Sequence, residues 1–132
     1  MILEWEEYEP RNARPKLDAM HVTVNGRGVI LLNHKAFEAA GSPAAMVLLY
    51  EKRRMVIGLR SAELGEKNAM QLKQKKGTAH RLIYAIGFCR RFDLGFKETI
   101  AFPSATIDDK GLLLLELHKG IVTERKRKAI SE

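Results

Sequence analysis

The stretch "VTVNGRGVILLNHKAFEAAG", residues 22 to 41, decides how the rest of the chain is read. Val22 and Val24 flank Thr23 as one face of a strand does, and Asn25-Gly26 offers the positive-φ pair that a tight type I′ hairpin turn favours. "RGVILLN" resumes as a second strand, apolar on both faces and so expected to be buried. "HKAFEAAG" then fits a helix of about two turns, with Asn33 as its N-cap, Gly41 as its stop and Pro43 preventing continuation. The glycines also raise the question of a phosphate loop. Such a loop leads from a strand into a helix N-terminus so that amides converge on the anion. "NGRG" leads into another strand instead, which favours a hairpin turn with Arg27 free to reach a phosphate from its tip.

Working outward, "AMVLLYEKRRMVIGLR" reads as two β-rich runs, 46 to 50 and 55 to 59, joined by a four-residue polar tip, Glu51 to Arg54. The second half repeats this order. "AMQLKQKK" alternates, "GTAH" turns, "RLIYAIG" reads as a buried strand, and "FCRRFDLG" takes the helix place, ending at Gly95 as the first helix ends at Gly41. "KETIAFPSATI" and "GLLLLELH" then form a hairpin through the turn "DDKG". Residues 62 to 76 also hold good helix formers, so a helix there stays an alternative. The expected fold is mainly β with short helices: two pseudo-repeated ββαββ units, about 19 to 61 and 69 to 119, closing into one barrel-like domain over residues 19 to 120. Residues 1 to 18 read as a flexible acidic arm able to dock Trp5 and Tyr8, and residues 121 to 132 as a basic tail.

Composition agrees with one globular domain: 132 residues, 45% hydrophobic and 30% charged, are enough for a real core. No apolar run approaches the roughly 18 to 20 residues of a membrane helix, and residues 1 to 10 are acidic where a secretory signal would be basic and then apolar. Cys89 stands alone, which is compatible with a reducing compartment, and the expected location is cytoplasmic with no membrane partner.

Charge carries the functional signal. Glu4, Glu6, Glu7 and Glu9 fall in the first nine residues with no base among them. Residues 52 to 91 hold eleven bases against Glu63 and Glu66 alone. Solubility is one explanation, and a polyanionic partner, duplex DNA before a membrane surface, is the sharper one. The candidate contacts are Arg27; Lys52, Arg53 and Arg54; Lys73, Lys75 and Lys76; Arg90 and Arg91; and the tail bases Arg125, Lys126, Arg127 and Lys128. No enzyme signature competes. His21, His34, His80 and His118 stand singly without ligand spacing, Asp108-Asp109 lie in a turn, and Cys89 has no indicated base, so no catalytic group, metal, cofactor or small-molecule substrate is expected.

The residues 21 to 60 resemble the AbrB/MraZ group of swapped-hairpin transcription factors. Gly26-Arg27 sits where that group has its Gly-Arg turn, Ala36, Phe37 and Ala40 sit on its short helix, and residues 47 to 59 match its closing hairpin. Residues 69 to 118 match less closely, and the proline usual at the helix start is Asn33-His34 here. The resemblance implies a swapped-hairpin barrel, non-enzymatic DNA binding in transcription regulation, and homo-oligomers. The alternative is a structural or protein-interaction barrel whose charge serves solubility.

Overall fold

The computed structural model of the chain describes residues 3 to 6 and 19 to 123. Tyr8 and the tail bases Arg125 to Lys128 lie outside the described residues. The fold is mainly β, with eleven short strands, two α-helices and one 3-10 turn among the described residues. The first half supplies β1 (Val22–Val24), β2 (Val29–Leu32), α1 (His34–Ala39), β3 (Ala45–Glu51) and β4 (Val56–Ala62). The second supplies β5 (Ala69–Gln71), β6 (Lys73–Gln74), β7 (Arg81–Tyr84), α2 (Ile86–Arg91), β8 (Ile100–Ala101), β9 (Thr106–Ile107), β10 (Leu113–Glu116) and β11 (Ile121–Val122).

These strands form two antiparallel sheets, ordered β11-β8-β1-β2-β7-β6 (sheet A) and β5-β3-β4-β10-β9 (sheet B). Residues before 62 and after 69 contribute to both. Within sheet A, β2 pairs with β7 from Val29↔Tyr84 to Leu32↔Arg81; within sheet B, β4 pairs with β10 from Val56↔Glu116 to Leu59↔Leu113. The core lies between the sheets. Val22, Val24, Ile30, Leu32, Met46, Ile57, Leu59, Ile83, Phe102, Leu113 and Leu115 are all essentially inaccessible, and their alternation along each strand selects the inward face.

The first helix follows from local chemistry. Asn33 caps it by accepting from the Ala36 amide at 2.9 Å. The same oxygen accepts from the His21 amide at 3.0 Å, and the Asn33 amide group donates to the Ala19 carbonyl at 2.9 Å, so one side chain ties helix start to strand start. At the other end Gly41 is left-handed (φ 97°), with its amide donating to Glu38 and that of Ser42 to Phe37, the paired bonds of a Schellman stop. Asn33→Ala is expected to lower stability by about 2 kcal/mol, above an ordinary cap loss of about 1, because three bonds go at once. Urea denaturation checks it; a loss below that of an ordinary cap would refute the tie.

Several expectations need correction. The Asn25-Gly26 turn is not type I′, since neither residue has positive φ and Gly28 (φ 78°) takes the left-handed position. The Asn25 side chain accepts from the Arg27 and Val29 amides at 2.9 and 3.0 Å, which holds a three-residue turn with a glycine bulge. Asp108 builds the same turn from "DDKG", accepting from Leu112 and Lys110, and those two amides, Leu112 first, hold its carboxyl below the usual range. The second helix begins at Ile86 rather than Phe88 and stops at Asp93 (φ 57°) rather than Gly95, with Leu94 and Asp93 donating to Cys89 and Arg90. The expected single strand over 97 to 107 is split into β8 and β9 around Pro103, which has no amide to donate. The tip of the β3–β4 hairpin is Lys52 to Met55, one residue later than expected. Residues 62 to 76 form a strand end, a turn and β5 with β6, not a helix.

Candidate nucleic-acid interface

Arg27 projects from the β1–β2 turn. The turn's own backbone uses its amides: those of Arg27 and Val29 go to the Asn25 side chain and that of Gly28 to the Asn25 carbonyl. They do not converge on an open anion site. The turn is instead pressed against the start of α2, where a Cβ on Gly28 would lie 2.7 Å from the Ile86 Cα.

That contact brings Arg27 near the helix that carries Arg90 and Arg91. Between turn and helix lies a cavity of about 270 Å³, lined among others by Gly26, Gly28, Ile86, Cys89, Arg90 and Asp93. Cys89 is buried there, and burial pushes its thiol pKa up, keeping it in the unreactive neutral form. On its other side α2 presents Phe88 and Phe92 to Tyr50, with ring centroids 6.4 and 5.2 Å away. Tyr50 stands two residues before the hairpin tip, where Lys52, Arg53 and Arg54 are exposed and the Arg54 amide donates to the Glu51 carboxylate at 2.8 Å. Six exposed bases, Arg27, Lys52, Arg53, Arg54, Arg90 and Arg91, therefore ride on three elements that meet at α2. Arg91 leans over the Phe92 ring at 5.7 Å.

The remaining described candidates lie elsewhere. Lys75 and Lys76 occupy the turn that precedes β7, at the opposite end of the β2–β7 ladder from Arg27. Lys73 sits on β6 opposite Leu82, its ammonium 5.9 Å from the centre of the Tyr84 ring. Two further bases of the same charge-rich stretch are engaged: Arg60 pairs with Glu66 at 2.8 Å, and Arg81 covers the Phe37 ring at 4.2 Å.

Sequence reading missed the solvent-facing apolar surfaces. Leu49, Val56, Gly58, Leu112 and Leu114 line a groove of about 590 Å³ on the outside of sheet B, flanked by Glu51, Arg54, Glu116 and His118. Tyr84, expected in a buried strand, is 51% exposed on the outside of sheet A. The signal for both lay in strands apolar at every position, which need cover on two faces. Among the described residues no three His, Cys, Asp or Glu side chains gather as metal ligands, and no helix is long and apolar enough to cross a membrane. Compared with known proteins, the chain matches no family model, no curated protein and no solved structure.

Proposed function

We infer that the protein binds duplex DNA through its phosphates, without catalysis, as a cytoplasmic regulator of transcription able to form homo-oligomers. The observation that carries this reading is the presence of six exposed bases on three elements that contact one another at α2, with Glu51, Asp93 and Glu98 among the acids carried on or next to those elements. A polyanion rewards such a grouping, because each neutralised phosphate releases counterions.

The likeness to the AbrB/MraZ group belongs to the same reading. Its support is the internal symmetry of pairing: β2 with β7 and β4 with β10 are antiparallel ladders in which each half supplies the equivalent strand. The Leu72 amide, between β5 and β6, donates to the Ala44 carbonyl, and the Phe102 amide, between β8 and β9, donates to that of Val22. At both places one chain segment passes from one sheet to the other, as the corners of a closed barrel of two pseudo-repeats would.

The test is an anisotropy titration on duplex DNA over a range of salt. The affinity should fall steeply with salt, log K losing about 0.9 per phosphate contact per decade. Replacing Lys52, Arg53 and Arg54 together by alanine should reduce that slope by up to about 3, because the tip is held on paired strands and loses little entropy on binding. Deleting residues 123 to 132 should instead weaken all sequences alike. No binding at low salt, or binding indifferent to salt, would refute the reading and favour a protein-interaction barrel that uses the apolar groove of sheet B.

A further inference from the structure

We propose that the outer face of sheet A is the docking site of the chain's own acidic N-terminal segment, with Leu3 and Trp5 seated against Tyr84 and Leu82. The face is defined by register. Val29 lies opposite Tyr84, Leu31 opposite Leu82, Thr23 opposite Leu31 and Lys73 opposite Leu82, and all of them alternate with the core residues Val24, Ile30, Leu32 and Ile83. Of the apolar helix residues, Ala36, Phe37 and Phe88 pack on the core, while Ile86 at the start of α2 is exposed. Among the described residues, the outer face is thus apolar, carries no acidic side chain and has no element packed over it. A strand such as β2, apolar at all four positions, has the composition of one buried on both faces.

The N-terminal segment has the matching character. Leu3 and Trp5 are 63% and 87% exposed, and they alternate with Glu4 and Glu6, so an extended segment presents an apolar side and an acidic side. Glu7 and Glu9 extend the charge, with no base in the first nine residues. Lys73 stands on the β6 side of the face, and Lys75 and Lys76 follow it in the exposed turn that leads to β7. The rival surface, the groove of sheet B, has a margin of mixed sign, Glu51 and Glu116 beside Arg54 and His118, and so offers an acidic segment less than the lysines at the edge of sheet A.

Reach is ample. Asn33 fixes the Ala19 carbonyl beside β1. The chain from Glu6 to Ala19 can span up to about 45 Å, whereas six strands are only about 25 Å across.

Trp5 is the sole tryptophan, so its fluorescence reads this contact in the intact protein without a label. Docking predicts blue-shifted emission and severalfold weaker acrylamide quenching than in the urea-unfolded chain, both unchanged from low to high micromolar protein. Tyr84→Lys and Lys73→Glu, two exposed substitutions whose folding is followed by circular dichroism, should each return Trp5 to the solvent-exposed signal, while Leu49→Lys in the sheet B groove should not. A Trp5 as accessible as in the unfolded chain would overturn the proposal. So would protection that grows with concentration, which assigns the segment to a second copy, or protection removed by Leu49→Lys and not by the sheet A variants.

Discussion

Gly28→Ala destabilises the protein severely, and Gly77→Ala only mildly, although both glycines hold the same φ of 78°. A left-handed conformation costs an L-residue roughly 1 to 2 kcal/mol wherever it occurs, so that share is common to both. Gly77 has open space where its Cβ would be. At Gly28 the new atom would lie 2.7 Å from the Ile86 Cα and 3.0 Å from its amide nitrogen. Those are backbone atoms of a helix start and cannot rotate aside. The Gly28 carbonyl also accepts from the Ala85 amide at 2.8 Å, so turn and helix cannot part without losing that bond. Forcing such a contact adds about 2 kcal/mol or more, bringing the total to about 3 to 4. Urea denaturation of the two variants decides it. Equal losses would mean that the turn and α2 are not in contact. The same pair bears on the proposed interface, because Gly28→Ala should separate Arg27 from Arg90 and weaken DNA binding, whereas Gly77→Ala should not.

Phe102→Ala is expected to cost about 3 to 5 kcal/mol, the range for emptying a large buried aromatic site. Phe102 is fully inaccessible and, among the described residues, is the largest of the fully buried side chains. It stands between β8, in sheet A, and β9, in sheet B, with its amide donating to Val22 at 2.9 Å. Gly120 closes the space on one side, since a Cβ there would lie 3.1 Å from the Phe102 ring. Loss of the ring therefore opens a void where the sheets are joined. Phe102→Leu, which retains most of the volume, should cost under about 2 kcal/mol. Thermal unfolding of both variants checks the order; a mild Phe102→Ala would show that the two sheets do not depend on this contact.

Features governed by nearest neighbours were legible in the sequence. Asn33 and Gly41 were read as cap and stop because the bonds that make them so reach only three to five residues along the chain. The hairpins β1–β2 and β3–β4 announced themselves by alternation and turn composition. Asn25-Gly26 misled because Asn25 has two uses, a left-handed backbone or a side chain that accepts amides, and Gly28 two residues later made the second available. Asp93 was passed over as a helix stop in favour of Gly95, since glycine is the usual residue at that position and aspartate an infrequent one. The candidate interface was legible as a list of bases and not as an arrangement. Whether the turn that carries Arg27 meets the helix that carries Arg90 is decided by the approach of Gly28 to Ile86, two residues 58 positions apart. Nothing in the local pattern of either predicts the other.

The ladders β2–β7 and β4–β10 also govern what happens while the chain is being made. When the ribosome has released only the first 62 residues, β2 and β4 exist without the strands that later flank them. Each then presents a bare edge, apolar on both sides for β2, to anything else in the vicinity. Sheet A gains its β7 neighbour some twenty residues of synthesis later, and sheet B waits until Glu116 has left the exit tunnel. Synthesis runs at about 5 to 20 residues per second, so β4 stays open for several seconds in every round. For that interval a neighbouring nascent chain of the same kind offers the same missing strand, so crowded polysomes are where this fold is most exposed to pairing with the wrong copy.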